Sequence, residues 1–266
     1  MTTTAPTAVS SARTVPRWRT AVFWVLMLVL LFLHLGERPE QLTWVVTSFG
    51  GGHDGHEIHT FALSLVAWAV VAAVAANLKD TARQIGAAWV YGLISVVAFA
   101  MFLALADVPP EMESVLVAVL AVGALSFVAH PSPLRDRLRP TGPASRRLLG
   151  MLAVAAIPMV LYGAGQLAIH AASGPHDDHF TRGHWIVMAV YAFTVLPIAL
   201  VAAIKVSGWR VPAWVAGTMV AGLGVASLGI SAVSQLATPW ALAAIVWGVG
   251  FVVIAEREAR RSAPVA

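Results

Sequence analysis

The chain has 266 residues, of which 59% are hydrophobic and only 11% are charged, and its mean hydropathy is +0.79. This composition excludes a water-soluble globular domain and indicates a lipid bilayer as the main solvent, because so much apolar surface must be kept from water. The net charge of +4 does not indicate nucleic acid, since the basic residues follow a topological pattern, and the absence of cysteine excludes disulfides and thiolate metal sites.

Eight apolar segments follow one another along the chain, each close to the ~20 residues that span a bilayer as a helix. They lie at 20–36, 60–78, 85–106, 113–130, 148–171, 184–204, 211–232 and 238–255. The first segment follows three arginines but lacks a small-residue cleavage site, so we interpret it as an uncleaved anchor. The predicted fold is therefore all-α, a polytopic integral membrane protein with about eight transmembrane helices.

The basic residues concentrate on one side of the predicted bundle. Fifteen of the seventeen Lys and Arg residues fall in the N-terminal tail, in alternate loops and in the C-terminal tail, and only Arg38 and Arg182 lie elsewhere. Cytoplasmic loops of membrane proteins carry such an excess of positive charge. We therefore predict a multi-pass protein of the cell membrane with both termini cytoplasmic.

The two halves of the chain resemble each other. Residues 59–92 align without a gap onto 184–217, which matches His59 to His184 and the motif AWVYG (88–92) to AWVAG (213–217). Four spans per copy is an even number, so we predict two tandem four-helix repeats in parallel orientation, related by an axis along the membrane normal. The predicted divisions are a disordered cytoplasmic tail (1–19), the first repeat (20–131), a cytoplasmic Arg- and Pro-rich linker (132–147), the second repeat (148–256) and a cytoplasmic tail (257–266).

Histidines recur at corresponding places in the two halves. The pattern His-Asp-x-His stands upstream of each aligned histidine, first as His53-Asp54-Gly55-His56 and then as His176-Asp177-Asp178-His179. A further histidine ends the first apolar segment, His34, and another ends the fifth, His170. Parallel repeats would bring the two sets toward each other at the extracytoplasmic face.

These residue types predict a metal site at that face. Neutral imidazole binds Zn, Cu, Ni and Fe, and carboxylates complete the coordination or orient a ring. We predict a composite site for a transition metal ion, with Zn or Cu favoured and Fe as a further candidate. The predicted ligands are His53, His56, His59, His176, His179 and His184, with Asp54 and Asp177 as ligands or as partners of ligand rings, and His34 and His170 as inner members.

The function predicted from this site is metal handling or metal sensing. The centres of the spans contain almost no ionisable residues, which disfavours an ion path across the bilayer. One alternative is a membrane oxidoreductase or hydroxylase that uses a metal or haem, with His59 and His184 as the haem ligands, so catalysis stays an open question. The other alternative is a non-catalytic membrane scaffold or assembly subunit.

The expected partners follow from the same features. The bilayer surrounds the spans, and an extracytoplasmic metal-carrying protein or a second membrane protein would suit a metal-handling role. Small residues four apart in 217–229 are typical of close helix packing and allow a homo-oligomer. No nucleic acid is expected.

Overall fold

The computed structural model describes residues 16–35, 39–50, 57–105, 110–174 and 176–261, except for the side chains of residues 50 and 110–116. Within these ranges the regular secondary structure is helical, and no strand occurs. Eleven α-helices follow in chain order through the described part of the chain. They are α1 (Arg17–Leu35), α2 (Glu40–Thr47), α3 (Glu57–Lys79), α4 (Ile85–Leu105), α5 (Pro110–Ala129), α6 (Leu134–Arg137), α7 (Arg146–Ala172), α8 (Asp178–Thr181), α9 (His184–Ala203), α10 (Arg210–Gly229) and α11 (Thr238–Arg261).

Seven of the described helices are long and apolar enough to cross a membrane, which indicates a multi-pass membrane protein. They are α1, α3, α4, α7, α9, α10 and α11. At the place of the remaining predicted segment, α5 contains a shorter apolar stretch, Val117–Ala129. The all-α polytopic fold is thus confirmed, whereas the number of eight spans stays a prediction.

Two helix ends differ from the predicted boundaries because polar side chains fix them. α7 begins at Arg146, where the Ser145 hydroxyl caps the helix by accepting a hydrogen bond from the Leu148 N–H at 3.1 Å. α11 continues to Arg261, beyond the predicted start of the C-terminal tail at 257. Its last turns bind other elements, since Glu256 pairs with Arg210 and Glu258 pairs with Lys205, both at 2.7 Å.

The centre of the bundle consists of helices from both halves of the chain. α3 packs against α10, and α4 packs against α9. α3, α9 and α10 are the most buried of the spans, whereas α1, α7 and α11 expose most of their apolar surface. Short α2 lies beside α3, where the Val45 N–H donates to the Ser64 hydroxyl and the Trp68 indole donates to the Leu42 carbonyl.

Glycines allow the closest helix contact in the second half. Gly248 of α11 lies directly against the backbone of α10, where a Cβ atom would meet the Gly217 carbonyl oxygen and lie 2.7 Å from the Ala221 nitrogen. Such small residues let the backbones of membrane helices approach each other. In the first half, Gly92 of α4 faces the Phe127 ring of α5 in a similar way.

A buried arginine closes one end of the bundle, which we name the arginine end. The Arg137 guanidinium donates to the carbonyls of Phe127 and Val128, in the last turn of α5 where carbonyls have no partner within the helix, and to the carbonyl of His130 just after it. Its Nε also donates to the Ser132 carbonyl at 3.0 Å. The opposite end of the bundle carries the first residues of α3 and α9, and we name it the histidine end.

Candidate metal centre

Three histidines from three helices meet at the histidine end. His59 lies in the first turn of α3 and is 1% exposed, His179 lies in α8, and His184 is the first residue of α9. The chain turns sharply between α8 and α9 at Gly183, whose φ of 65° belongs to the left-handed region that glycine adopts without strain. This turn places His179 and His184 on the same side of the bundle, facing α3.

The three rings form one cluster. The His59 and His184 rings stack with centroids 4.8 Å apart and planes inclined by 18°. The His179 ring stands edge-on to both, at 5.4 Å from His59 and 5.5 Å from His184. Each residue offers one ring nitrogen, and these nitrogens all lie within 4.8 Å of one another. This group can provide three imidazole ligands to one metal ion.

The orientation of His59 depends on a buried hydroxyl from the loop between α10 and α11. The Ser234 hydroxyl donates to Gln166 Oε1 at 2.9 Å and lies 3.0 Å from His59 Nε2. Because Ser234 has only one proton to donate, its oxygen accepts from the His59 Nε2–H. The other ring nitrogen, Nδ1, then carries the lone pair that a metal requires. The Tyr162 hydroxyl donates to the Ser234 carbonyl at 2.7 Å and so fixes this loop.

The orientation of His179 depends on a carboxylate two residues upstream. Asp177 Oδ1 accepts from the His179 backbone N–H at 2.8 Å and lies 3.3 Å from His179 Nδ1. The hydrogen bond from that backbone N–H, assisted by the His179 ring, lowers the pKa of the Asp177 carboxyl below its usual value. The carboxylate therefore retains the proton on His179 Nδ1, which leaves Nε2 for a metal. Carboxylate–histidine pairs of this kind orient metal ligands in many proteins.

An aromatic wall surrounds the cluster on one side. The Trp185 ring stacks on His179 with centroids 5.1 Å apart and stands edge-on to His59 at 5.4 Å. Trp185 is 3% exposed, so it shields the rings from lipid and solvent. The site is therefore partly dry, which strengthens the attraction between a bound cation and its ligands.

The three ring nitrogens must move closer together before they can all bind one metal ion at ordinary bond lengths. Zn–N bonds measure about 2.0–2.1 Å, so two nitrogens on a tetrahedral Zn ion lie about 3.4 Å apart. The nitrogens of this group spread over up to 4.8 Å. A bound tetrahedral ion would thus draw the nitrogens together by up to about 1.4 Å, and it would turn His59 and His184 out of their parallel stack so that both lone pairs converge.

Not every predicted ligand lies in this group. His53, Asp54 and His56 lie outside the described residues. His176 is exposed and separate from the cluster.

The two predicted inner members are buried but are not part of the three-histidine group. His34 Nδ1 lies 2.9 Å from the carbonyl of Leu30 on its own helix, and the His170 ring stacks on Phe180 with centroids 4.4 Å apart. Their part in metal binding stays a prediction.

Sequence patterns did not indicate the polar residues that orient His59. Gln166 stands four residues before His170 and thus on the same helix face, which was the one available signal. Ser234 has no motif around it, and its role depends on how the α10–α11 loop folds back over the bundle. Trp185 follows His184 directly, but adjacency along the chain does not predict that its ring stacks on His179.

The predicted haem alternative meets a geometric obstacle. Bis-histidine ligation needs the two rings to approach iron end-on from opposite faces of a macrocycle. His59 and His184 instead stack 4.8 Å apart, which leaves no gap for a porphyrin between them. The haem alternative stays a prediction that requires these rings to separate.

Comparisons with known proteins do not identify the class of this membrane protein. The chain matches none of the known protein families, curated proteins or solved structures with which it was compared. The functional conclusion therefore depends on the geometry of the site.

Proposed function

We propose that His59, His179 and His184 bind one transition metal ion, Zn or Cu in preference to Fe, and that the protein handles or senses this metal. One observation carries the proposal: His59 of α3 and, from a distant part of the sequence, His179 and His184 of α8 and α9 present ring nitrogens within 4.8 Å of one another. The oriented tautomers of His59 and His179 add support, because metal-binding histidines characteristically donate their second ring N–H to a polar partner. The chain has no cysteine and so no thiolate ligand, which disfavours Cu(I).

The site is proposed to face the extracytoplasmic side. The basic loops, with Arg83, Arg137 and Arg210, lie at the arginine end, and the positive-inside rule assigns that end to the cytoplasm. Both termini would then be cytoplasmic. The metal site would be accessible to an extracytoplasmic protein that supplies or receives the ion.

The proposed arrangement also includes two parallel repeats. Support comes from the reciprocal packing of α3 on α10 and of α4 on α9, which a twofold axis along the membrane normal would generate. Further support comes from corresponding glycines. Gly92 faces Phe127 in the first half, and Gly217, its counterpart in the alignment, faces Val252 and Gly248 in the second half. The aligned pair His59 and His184 would meet near this axis.

The test is the metal content of detergent-purified protein, measured by mass spectrometry. The affinity tag must contain no histidine, and the protein is loaded with zinc or copper and then desalted. We expect close to one ion per chain in the wild type. His59→Ala and His179→Ala should each lose most of this metal, since each removes a ligand from the three-histidine group. An absorption spectrum of the same sample tests for haem.

The matched control is His176→Ala. His176 lies three residues before His179, just before α8, and is exposed and outside the group, so its removal should leave the metal content unchanged. Metal retention in His179→Ala, or no metal in the wild type after loading, would overturn the proposal. A haem spectrum would favour the oxidoreductase alternative, and no metal together with no haem would favour the scaffold.

A further inference from the structure

One polar group beside the three histidines has no hydrogen-bond partner. The indole nitrogen of Trp185 is buried and makes no hydrogen bond with any described residue, and the residue as a whole is 3% exposed. An indole N–H is a donor only, so it needs an acceptor. Buried donors in folded proteins are almost always paired, because an unpaired one destabilises the folded state. The unused donor therefore indicates an acceptor that the described part of the chain does not supply.

The Trp185 ring lies against two of the candidate metal ligands. Its centroid is 5.1 Å from that of His179 and 5.4 Å from that of His59, and the two histidine centroids are themselves 5.4 Å apart. The three centroids thus form a nearly equilateral triangle. Because Trp185 stacks on His179 with planes inclined by 22°, His59 stands beside this stack and the indole turns an edge toward it. The ring with the unused N–H is part of the wall of the candidate site.

The place of Trp185 in its helix explains this contact. Trp185 is the second residue of α9, directly after His184. Side chains of an α-helix lean toward the N-terminus of the helix, so a ring at the second position extends toward the helix start and α8. The indole therefore lies at the same end of the bundle as the three histidines.

Three imidazoles leave one coordination position open on a tetrahedral ion. Structural zinc sites fill all four positions with protein ligands, whereas sites with three protein ligands bind water or a substrate at the fourth. The described residues supply three ligands to this group. His179 and His184 are partly exposed, so a small molecule can reach the group from outside the bundle.

The Trp185 N–H discriminates between possible fourth ligands. A ligand that binds the metal and also accepts from the indole must have a further lone pair. A carboxylate has several, whereas an imidazole bound through one nitrogen carries a proton on the other nitrogen and cannot accept. Charge also favours an anion, because three neutral imidazoles leave the double positive charge of a divalent ion uncompensated.

We infer that the fourth position of the metal ion binds a small carboxylate anion from outside the chain, and that the Trp185 N–H donates to this anion. One carboxylate oxygen coordinates the ion, and a lone pair of the carboxylate accepts from the indole. Trp185 is thus a specificity-determining residue, which favours an oxygen ligand over a nitrogen ligand. The inference rests on the proposed metal site, since without the ion there is no coordination position for the anion.

The test is a titration with formate, the smallest carboxylate, of detergent-purified protein loaded with Co(II). Co(II) substitutes for zinc, and its visible absorption changes with the number and type of its ligands. At constant ionic strength we expect about one cobalt ion per chain and an absorption change that saturates with formate. In Trp185→Phe the cobalt content should stay the same, whereas the Kd for formate should rise about tenfold or more, because a hydrogen bond to a charged group is lost.

Two further variants separate the donor from the ring. Trp240→Phe is the matched control, since Trp240 lies in the first turn of α11, is 60% exposed and is outside the three-histidine group. Its Kd for formate should equal that of the wild type. In the second variant β-(3-benzothienyl)alanine replaces Trp185, which keeps two fused rings but has sulfur in place of the N–H. Its Kd should rise as in Trp185→Phe, and it takes the place of that variant should the smaller ring reduce the cobalt content.

The outcomes distinguish this inference from the proposed function. One cobalt ion per chain without any response to formate would overturn the inference and leave the metal site standing. Equal Kd values in the wild type and the benzothienyl variant would overturn the role of the Trp185 N–H. Failure to bind either cobalt or zinc would refute the proposed function, and the inference with it.

Discussion

At the scale of single residues, hydrogen-bond partners fix the orientation of two of the three histidine rings in the candidate site. Asp177 fixes His179, and the pair formed by Ser234 and Gln166 fixes His59, each with hydrogen bonds between 2.8 and 3.3 Å. Each partner selects which ring nitrogen carries the proton. A ring in the wrong tautomer would offer N–H instead of a lone pair to the ion, so these partners should affect affinity strongly.

The first prediction concerns Asp177. In Asp177→Asn the new amide oxygen can still accept from the His179 backbone N–H, but it is a neutral and weaker acceptor for Nδ1–H. We expect the Kd for zinc to rise about 10- to 100-fold, measured by competition with a chromophoric chelator. Asp178→Asn is the matched control, since Asp178 is exposed and pairs with Arg182. An equal loss in both variants would indicate a general charge effect instead of a specific orientation of His179.

The second prediction concerns His130 at the arginine end. Burial, and then the nearby Arg137 guanidinium, lower the pKa of His130 from 6.5 to about 4, while its Nδ1 accepts from the Ser132 N–H at 3.1 Å. The folded protein therefore binds this proton less readily than the unfolded chain. The contribution of neutral His130 to the free energy of unfolding is therefore fully present above about pH 6.5. It is lost as the pH decreases toward 4, by at most about 3 kcal/mol.

His130→Asn tests this pH dependence. The Asn side-chain oxygen can replace Nδ1 as acceptor for the Ser132 N–H, but it does not titrate. The decrease in Tm of detergent-solubilised protein between pH 7 and pH 4.5 should be smaller in the variant than in the wild type. Parallel decreases in the two proteins would show that His130 does not contribute.

At the scale of helices, the third prediction concerns the contact between α10 and α11. Gly248→Ala places a methyl group against the Gly217 carbonyl and the backbone nitrogen of Ala221, neither of which can move without shifting a helix. Overpacking of this kind costs about 1–3 kcal/mol. We expect Tm to fall by several degrees. Gly165→Ala on α7 is the matched control, because its Cβ would meet nothing within 4 Å, and its Tm should not fall.

The helices were largely predictable from the sequence because a span needs ~20 apolar residues, and this requirement is local. The ends were less predictable. The start of α7 depends on the Ser145 cap, and the end of α11 depends on ion pairs with Lys205 and Arg210, which lie far away in the sequence. A hydropathy window detects neither a side-chain cap nor a long-range ion pair.

The candidate site was predictable only in part, for a related reason. The alignment of the halves matched His59 with His184, and the repeated pattern indicated His179, so all three members of the group were predicted ligands. Ser234 was not indicated, because a lone serine in a loop carries no periodicity. His34 and His170 share the residue type of the ligands, yet helix packing, which sequence patterns do not determine, separates them from the group.

At the scale of the whole molecule, the two ends of the bundle differ in chemistry. The histidine end has the three-ring group with Asp177 and Asp178, whereas the arginine end has Arg137 buried over α5 and the pairs of Arg210 and Lys205 with α11. If the positive-inside rule applies, a bound metal faces the extracytoplasmic side. The orientation of the chain therefore decides which pool of metal the site can reach.

The last prediction tests this orientation with two matched loop positions. Gly142, between α6 and α7, and Gly174, between α7 and α8, are both exposed, and a side chain at either would meet nothing within 4 Å. The chain contains no cysteine, so Gly142→Cys and Gly174→Cys each introduce a single thiol. In intact cells, a membrane-impermeant maleimide should label Gly174→Cys and should label Gly142→Cys only after permeabilisation. The opposite pattern would place the three histidines in the cytoplasm, where an extracytoplasmic partner could not deliver metal to them. Labelling of both variants in intact cells would show that α7 does not cross the membrane.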